Sequence, residues 1–298
     1  MKISEINKIG KELELFEIID CIGKGFPVFL PKGEIIIRKI QNEVEDKLLL
    51  DNFKPVKTPC LSNADIYKIE DRFISQKDRL FRVENNSEEK LYLKPYLSPF
   101  HCCIYKQNQY SYKNLPVKFF ETSEVFRNEK DIKGIIKSRQ FTVTECSMFV
   151  NPAEIINSLN EIISIQKEII DKLGLQIKYE VENWDNTKKE EYIGTIDEWN
   201  IAVDNMRKSL IQNNLNFTEN NKAPMYGPMI KLFYNDNYFA KIQIDFEITH
   251  RFDIKFHNKD NQEEYPKYIQ STIVGSYENL IGILIDKYNE NLPKWLKT

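Results

Sequence analysis

Two runs of alternating apolar and polar residues, separated by a short polar stretch, constrain the fold more than any other feature of this sequence. The first run reads LPVKFFETSEVFRNE over residues 115–129, and the second reads RQFTVTECSMFV over residues 139–150. Alternation with a period of two is typical of half-buried strands. Because a polar loop of about nine residues joins the runs, the sequence predicts a long antiparallel hairpin.

The end of the first run carries a charged pair, Arg127 and Glu129. Residues two apart on a strand share one face, so this cation and carboxylate point the same way, beside Phe119 and Val125. Taken alone, such a pair is more often a structural or solvated ion pair than part of a binding site. The face of the second run is formed by Phe141, Val143, Glu145, Ser147 and Phe149.

The rest of the chain reads as amphipathic helices and short strands. The strongest helix prediction covers 152–173, where Asn151 can cap the first turn and Gly174 can end the last. We therefore expect a single α+β domain over residues 1–298, an antiparallel β-sheet flanked by helices. Further helices are predicted over 3–15, 34–50, 100–111, 197–213 and 276–288, and further strands over 53–59, within 86–100, and over 176–183, 229–234, 238–248 and 251–257.

Composition argues against several classes of protein, including those with a broad nucleic-acid-binding surface and those that span a membrane. The net charge is −3 and Lys and Arg do not cluster beyond pairs, so no broad electrostatic surface for nucleic acid is visible. The five cysteines form no CxxC pair, which suits a reducing compartment. No apolar stretch is long enough to span a membrane. We expect a soluble, cytoplasmic protein with no membrane partner.

The hairpin resembles motif 2 of the class II aminoacyl-tRNA synthetases, where F-R-x-E on one strand precedes R-x-F on the next; here the segment is VFRNEKDIKGIIKSRQF. The likeness extends, in the same order, over the catalytic domain of threonyl-tRNA synthetases. It implies the class II catalytic fold, ATP and magnesium, and a homodimer formed through motif 1. The matching segments include FKPVKTP with Pro59 at motif 1, LYLKPYLSPFHCCIYKQNQYSYKNLP, APMYGPMI, KIQIDFEITHRFDIKF, and STIVGSYENLIGILIDKYNENLPKWL at motif 3.

The resemblance assigns roles to the hairpin residues. Arg127 would bind the α-phosphate of ATP and stabilise the charge that develops during adenylation, which makes it the catalytic residue. Glu129 would contact the adenine, and Phe141 would stack on it. Lys137 or Arg139, at the end of the loop, would meet the terminal phosphates.

Motif 3 departs from the family pattern. Asn279 stands where the family has an arginine that lies over the adenine and reaches the γ-phosphate. Asparagine cannot make a charge-assisted fork, and loss of such a contact costs roughly 2–4 kcal/mol of transition-state stabilisation. Lys137, Arg139 or Arg251 could supply another cation, although Arg251, on the predicted strand 251–257, is more readily a surface ion pair.

The zinc site of the threonyl enzymes has no counterpart. Its cysteine and two histidines align with Ser98, Ser147 and Gln270, none of which is an ordinary zinc ligand. No zinc is therefore expected. His101, close in sequence to Ser98, is expected to be a partly buried, hydrogen-bonded structural residue. Three cysteines in the same region are expected to be buried and unreactive: Cys102, Cys103 and Cys146.

The same comparison indicates that the substrate pocket differs from that of the family. Val143 and Glu145 take the places of a glutamine and an aspartate, and Met229 replaces a lysine. Tyr226 and Gln243 match the family. Recognition of threonine through zinc is therefore not expected, and the acid that the pocket accepts stays open.

Three functions remain open for a chain expected to be a stand-alone paralogue without the editing and anticodon-binding domains. The first is activation of an amino acid or related carboxylic acid as its adenylate, for transfer to an unknown acceptor such as a carrier protein, a small amine or a tRNA 3′ end. The second is a non-catalytic regulatory or accessory subunit. The third is a tRNA-binding partner of a complete synthetase.

Overall fold

The computed structural model describes residues 1–69, 77–84 and 88–297, and most of its strands belong to one large sheet. Numbered in chain order, the strands are β1 (Phe16–Glu17), β2 (Val28–Phe29), β3 (Lys54–Pro55), β4 (Leu61–Asn63), β5 (Arg82–Val83), β6 (Leu91–Leu93), β7 (Val117–Phe126), β8 (Gln140–Val150), β9 (Ile177–Glu182), β10 (Phe217–Asn220), β11 (Met229–Tyr234), β12 (Asn237–Asp245), β13 (Phe256–His257), β14 (Glu263–Glu264) and β15 (Lys267–Ser276).

The large sheet has eight strands in the order β10-β9-β11-β12-β15-β8-β7-β3. Its centre is antiparallel, from β9 to β7, and the predicted hairpin is the β7–β8 pair, in register from Val117↔Phe149 to Phe126↔Gln140. Both outer pairs, β10–β9 and β3–β7, are parallel. The predicted α+β architecture is therefore confirmed, with parallel pairing added at the two edges.

The long helices cover one face of this sheet, and two shorter ones, Ser98–Lys106 and Ile248–Arg251, pack on the other. Each predicted helix is present, with its ends shifted by a few residues. Asn151 caps a short 3₁₀ turn before the long helix, where its side chain accepts a hydrogen bond from the backbone N–H of Ala153. The helices are Ile3–Glu12, Pro31–Leu50, Asp65–Ile69, Ser98–Lys106, Ile155–Lys172, Ile196–Gln212, Ile248–Arg251 and Tyr277–Tyr288.

The two faces of the sheet have different roles because side chains alternate along each strand. Cys146, Met148 and Val150 of β8 point into the main hydrophobic core, which the long helices cover. Phe149 points to the opposite face, where a smaller hydrophobic cluster packs at one end of the sheet. The remainder of that second face is open, and it forms the floor of a cavity.

The predicted strand 251–257 is wrong. Arg251 ends a helical turn, Asp253 has a left-handed backbone with φ 49°, and only Phe256–His257 is extended. The strand that pairs with β12 is β15 instead, and it lies between β12 and β8. Arg251 is therefore not next to the motif 3 helix; it pairs with Glu247 on its own turn.

The cysteines, β6 and the character of the helices complete the description of the fold. All five cysteines are free thiols. Of the strand predicted within 86–100, the structure shows β6, while residues 86 and 87 lie outside the described part of the chain. In the described ranges, no helix combines the length and the apolar character that crossing a membrane would need.

Candidate active site

A cavity of about 620 Å³ opens on the face of the sheet opposite the main core. Its floor is formed by β8, β11, β12 and β15, one wall by the end of β7, and another by the start of the helix Tyr277–Tyr288. The structure brings eleven of the residues singled out from the sequence to its lining, Met229 among them. The other ten are Ser98, Arg127, Glu129, Lys137, Phe141, Val143, Glu145, Tyr226, Gln270 and Asn279.

Arg127 lies directly after β7, and main-chain contacts fix its position. Its Nε donates a hydrogen bond to the carbonyl oxygen of Pro95 at 3.0 Å, and its guanidinium carbon lies 5.1 Å from the centroid of the Phe141 ring. Burial, and then the nearby Arg79 guanidinium, lower the pKa of Arg127 from its ordinary value. Arginine remains charged at neutral pH even so. Within the described residues, no carboxylate forms an ion pair with it.

Glu129 is held by two cations rather than standing open to a ligand. Arg79 donates to one carboxylate oxygen, and Lys137 Nζ lies 3.2 Å from the other. Burial alone would raise the pKa of Glu129, but the hydrogen bond from Arg79 and the charge of Lys137 lower it overall. Arg79 also lines the cavity. Sequence reasoning missed Arg79, because a single arginine in a polar loop carries no signal of its own.

Arg139 faces away from the cavity. Its Nε donates to the backbone oxygen of Glu129 at 3.1 Å and its Nη1 to that of Lys24 at 3.4 Å. Gly25, with φ 87°, lies against the Arg139 side chain, and a Cβ there would come within 2.9 Å of Arg139 Cγ. Arg139 therefore joins the loop around Gly25 to the hairpin. Of the two candidates for the terminal phosphates, the structure places Lys137 at the cavity.

The start of the last helix forms another wall of the cavity. The side chain of Asn279 donates from Nδ2 to the Tyr238 carbonyl at 2.9 Å, while its Oδ1 is buried without a partner in the structure. Glu278 points the other way, and both of its carboxylate oxygens accept from the backbone N–H of Thr142 at 2.9 Å. Burial raises the pKa of Glu278 to about 8. Lys133 and Lys137 line the same cavity as Asn279, whereas Arg251 does not.

Of the three positions aligned with zinc ligands, Ser147 and Gln270 are cross-strand neighbours, and Ser98 and Gln270 line the same cavity. Ser147 is fully buried, and its Oγ lies 2.7 Å from His101 Nδ1 and 2.6 Å from the Tyr268 hydroxyl. Gln270 lines the cavity and its Oε1 accepts from Lys241 Nζ at 3.2 Å. Across the described ranges, no group of three His, Cys, Asp or Glu side chains is placed to hold a metal ion.

His101 belongs to a buried polar network beneath the cavity. Its Nε2 lies 3.4 Å from Glu121 Oε2, and Lys94 Nζ lies 3.0 Å from Glu121 Oε1. Burial acts to raise the pKa of Glu121, but the hydrogen bonds from His101, Thr58 and Lys94 lower it overall. His101 and Lys94 have no exposed surface. His101 is hydrogen-bonded, as predicted, but fully rather than partly buried.

The cysteines near this network differ in burial. Cys146 points into the main core, on the face opposite Ser147. Burial raises the pKa of the Cys146 thiol well above its ordinary value. Cys102 is also buried, but the prediction is wrong for Cys103, which is only half-buried at the edge of the smaller cluster; this partial burial raises the pKa of its thiol. These thiols are packed as apolar side chains.

The floor of the cavity carries charges that sequence reasoning missed. Register across four strands aligns Lys231 with Lys241, Lys241 with Thr272, and Thr272 with Glu145. Lys231 pairs with Glu182 at 2.7 Å. Lys241 Nζ donates to Gln243 at 2.7 Å. Gln243 itself is 1% exposed and lies beneath the lining. The available signal was the alternation in AKIQID, which puts Lys241 and Gln243 on one face.

The chain also matches known proteins. Residues 81–288 match the model of the tRNA synthetase class II core domain (G, H, P, S and T). A threonine–tRNA ligase of Clostridium botulinum is 33% identical over 97% of this chain, and another of Sulfurihydrogenibium is 30% identical over the same share. The alignments cover 47% and 46% of those relatives, so the chain spans about half their length.

Solved structures of other proteins share the fold of this chain. The RNA binding domain of threonyl-tRNA synthetase from Cryptosporidium parvum superposes with a TM-score of 0.89 at 23% identity, over 98% of this chain and 74% of that one. Prolyl-tRNA synthetase from Giardia lamblia, solved with prolyl-adenylate, gives 0.76 at 18% identity, over 99% and 55%. Because the core-domain model matches more than half of it, the chain belongs to the class II tRNA synthetase core-domain family.

Proposed function

We propose that this protein binds ATP in the cavity and activates an amino acid or a related carboxylic acid as its adenylate, for transfer to an acceptor that the sequence does not identify. The observation that carries this proposal is the placement of Arg127. Its guanidinium lies at the cavity wall, fixed by the Pro95 carbonyl and the Phe141 ring, with no carboxylate among the described residues to neutralise it. A cation held in this way can stabilise a developing negative charge without reorganising.

The cavity has a second cationic region suited to the β- and γ-phosphates. Arg79, Lys133 and Lys137 line it, and Arg79 and Lys137 share Glu129 as their partner. Magnesium prefers phosphate oxygens together with one or two carboxylates and water, so it would arrive bound to ATP. We propose that Glu129 positions Arg79 and Lys137 for the phosphates, in addition to the adenine contact expected from the family.

The chemistry needs no nucleophile from the protein. One oxygen of the substrate carboxylate attacks the α-phosphorus, the bond to the α,β-bridging oxygen breaks, and pyrophosphate leaves with the electron pair. Arg127 stabilises the charge on the α-phosphate oxygens during this step. The acceptor then attacks the carbonyl carbon of the adenylate, and AMP leaves. The protein supplies position and charge, which can account for a large part of such catalysis.

A second candidate, a regulatory or accessory subunit that binds a ligand without catalysis, is favoured by Asn279. Its side chain is engaged with the Tyr238 carbonyl, so it presents no cation at the wall where the family has an arginine. The third possibility, a tRNA-binding partner of a complete synthetase, has no contact in its favour. We further propose a cytoplasmic location and a single domain.

A homodimer is also proposed. The helix Pro31–Leu50 and the edge strand β3 form the region that corresponds to motif 1. Leu49 and Leu50, at the end of that helix, are 49% and 79% exposed, and exposed apolar side chains of this kind are buried in subunit interfaces. A monomeric mass in light scattering at micromolar concentration would count against the dimer.

Pyrophosphate exchange tests the proposed activity. The protein is incubated with ATP, magnesium and labelled pyrophosphate, separately with each proteinogenic amino acid and with a few hydroxy and aryl acids. We expect exchange with one acid, and its loss in Arg127→Ala, while the exposed control Lys208→Ala retains it. Absence of exchange with every acid, from a protein that is folded and binds ATP, would favour the regulatory candidate instead.

A further inference from the structure

A buried ion pair is connected to the cavity wall that carries Arg127. Lys94 follows β6 and Glu121 lies on β7, and their side chains are 0% and 1% exposed. Lys94 Nζ donates to Glu121 Oε1 at 3.0 Å. Neither residue lines the cavity. Because burying two charges costs about as much free energy as their attraction returns, such a pair is weak evidence for stability and is better suited to fixing a conformation.

The main chain after β6 connects this pair to Arg127. The carbonyl oxygen of Lys94 accepts a hydrogen bond from the backbone N–H of Phe126 at 2.8 Å. The next carbonyl oxygen, that of Pro95, accepts from Arg127 Nε at 3.0 Å. The proline ring fixes φ between these two carbonyls and so restricts rotation between them. The position of Lys94 therefore sets where the Pro95 acceptor of Arg127 lies.

Both the backbone and the side chain of Lys94 are anchored to the segment that follows the edge strand β3. Its backbone N–H donates to the Cys60 carbonyl at 2.8 Å, and Nζ donates to the carbonyl oxygen and Oγ1 of Thr58 at 3.2 and 3.0 Å. Thr58 in turn donates from its backbone N–H to Glu121 Oε1 at 2.9 Å and from its hydroxyl to Oε2 at 2.8 Å. The three protons of the ammonium thus have three acceptors, which fix its position.

We propose that Lys94 is a positioning residue for Arg127, and that its buried ammonium fixes the carbonyl that orients the Arg127 guanidinium at the cavity wall. The consequence for the reaction rests on the proposed function, whereas the position of the guanidinium does not depend on it. Lys94 does not line the cavity, so its effect on activity passes through Arg127. The same contacts join the segment after the edge strand β3 to the cavity wall.

Hydrogen exchange of the Arg127 Nε–H, followed by NMR of the whole protein with nitrogen-15 in its arginines, tests the positioning without requiring catalysis. The Arg127 signal is the one that is lost in Arg127→Lys. The double variant Lys94→Met with Glu121→Gln removes both charges together, so no buried charge is left unpaired. We expect the Arg127 Nε–H to exchange with solvent at least roughly tenfold faster in this variant than in the wild type, as loss of one hydrogen bond would give.

A milder variant and a matched control complete the test. Thr58→Val keeps the ion pair and removes one acceptor of the ammonium, so it should accelerate the same hydrogen exchange by a smaller factor, and it decides the question if the double variant does not fold. The control, Lys118→Met with Glu161→Gln, removes an ion pair from the opposite face of β7 and should leave the Arg127 signal unchanged. The inference is wrong if a folded double variant, or Thr58→Val where only that variant folds, exchanges this proton at the wild-type rate. It is also wrong if the proton already exchanges without protection in the wild type.

Pyrophosphate exchange by the same variants separates this inference from the proposed activity. The double variant should lower the maximal rate roughly tenfold to a hundredfold, because a small displacement of a catalytic group has that effect, and should change the ATP concentration for half-maximal rate by a smaller factor. Faster hydrogen exchange at Arg127 in a protein that shows no pyrophosphate exchange would support the positioning and contradict activation. Pyrophosphate exchange that depends on Arg127 but keeps the wild-type rate in the folded double variant would support activation and contradict the positioning.

Discussion

The buried carboxylate of Glu278, where the last helix contacts the hairpin, leads to a quantitative prediction of how the stability of the protein depends on pH. Its carboxylate is 5% exposed, and both oxygens accept from the backbone N–H of Thr142. Burial raises its pKa from the ordinary 4.5 to about 8, although the hydrogen bonds from Thr142 act in the opposite direction. The folded protein therefore binds this proton more tightly than the unfolded chain does.

The difference in proton affinity determines whether the free energy of unfolding rises or falls with pH. The contribution of Glu278 to the free energy of unfolding is fully present below pH 4.5 and is lost as the pH rises through about 8. A tenfold change in proton affinity corresponds to about 1.4 kcal/mol. Glu278 should therefore lower the stability by roughly 3–5 kcal/mol between these limits.

The variant Glu278→Gln isolates this contribution. Glutamine does not ionise, and its amide oxygen can still accept from Thr142. Urea unfolding is measured at intervals from pH 5 to pH 8.5 for the wild type, for Glu278→Gln and for the exposed control Glu290→Gln. We expect a smaller fall of stability with pH in Glu278→Gln alone. Parallel curves for the wild type and Glu278→Gln would refute the reasoning.

Three further predictions concern the site and its support. Asn279→Arg restores a cation at the wall and should raise the rate of pyrophosphate exchange by roughly tenfold or more; an unchanged rate in a folded variant would mean that the wall no longer faces ATP. His101→Ala should lower the free energy of unfolding by roughly 1–3 kcal/mol in urea, because Ser147 and Glu121 lose a buried partner, while exchange per folded molecule stays within a few fold; a large loss of exchange without loss of stability would contradict this. Exhaustive chelation followed by return of magnesium should leave exchange unchanged, and recovery only after zinc is added would show that a zinc site exists.

The hairpin was predictable because two sequence signals coincide in it. Alternation over 115–129 and 139–150 specified the β7–β8 pair, and the same period put Arg127 on a shared wall with Phe141. Both signals depend on local spacing alone. Local spacing thus predicted the two strands and their faces, whereas the roles of Arg127, Glu129 and Phe141 were expected only from the resemblance to motif 2.

Other parts depend on contacts between distant segments. β15 was not predicted because Gln270, Ser271 and Thr272 interrupt its apolar pattern. Gln270 and Ser271 are nevertheless buried between the neighbouring strands, and Gln270 and Thr272 line the cavity. Residues 251–257 alternate like a strand, but Asp253 turns the backbone, and the apolar side chains pack from a helical turn and a loop. The parallel edge pairs form only after intervening helices bring their strands together.

The positions of several charged residues in the cavity were likewise not predictable from the sequence. A single lysine on a strand is usually a solvated side chain, so neither Lys241 nor Lys231 could be assigned to the site from the sequence. Arg79 also could not be assigned to the site from the sequence, although it contacts Glu129. Arg139 was assigned to ATP by resemblance, but it packs against Gly25 and bonds to backbone oxygens.

The central claim is that a substrate carboxylate attacks the α-phosphate of ATP in this cavity, and an oxygen-transfer measurement tests it most directly. The protein is incubated with ATP, magnesium, hydroxylamine as acceptor, and amino acids whose carboxylates carry oxygen-18. Adenylation leaves the bridging oxygen of the acid on AMP when hydroxylamine attacks the carbonyl carbon. We predict AMP that carries one heavy oxygen from the wild type and none from Arg127→Ala. If the folded wild-type protein produces only unlabelled AMP, or no AMP, the cavity does not activate an amino acid.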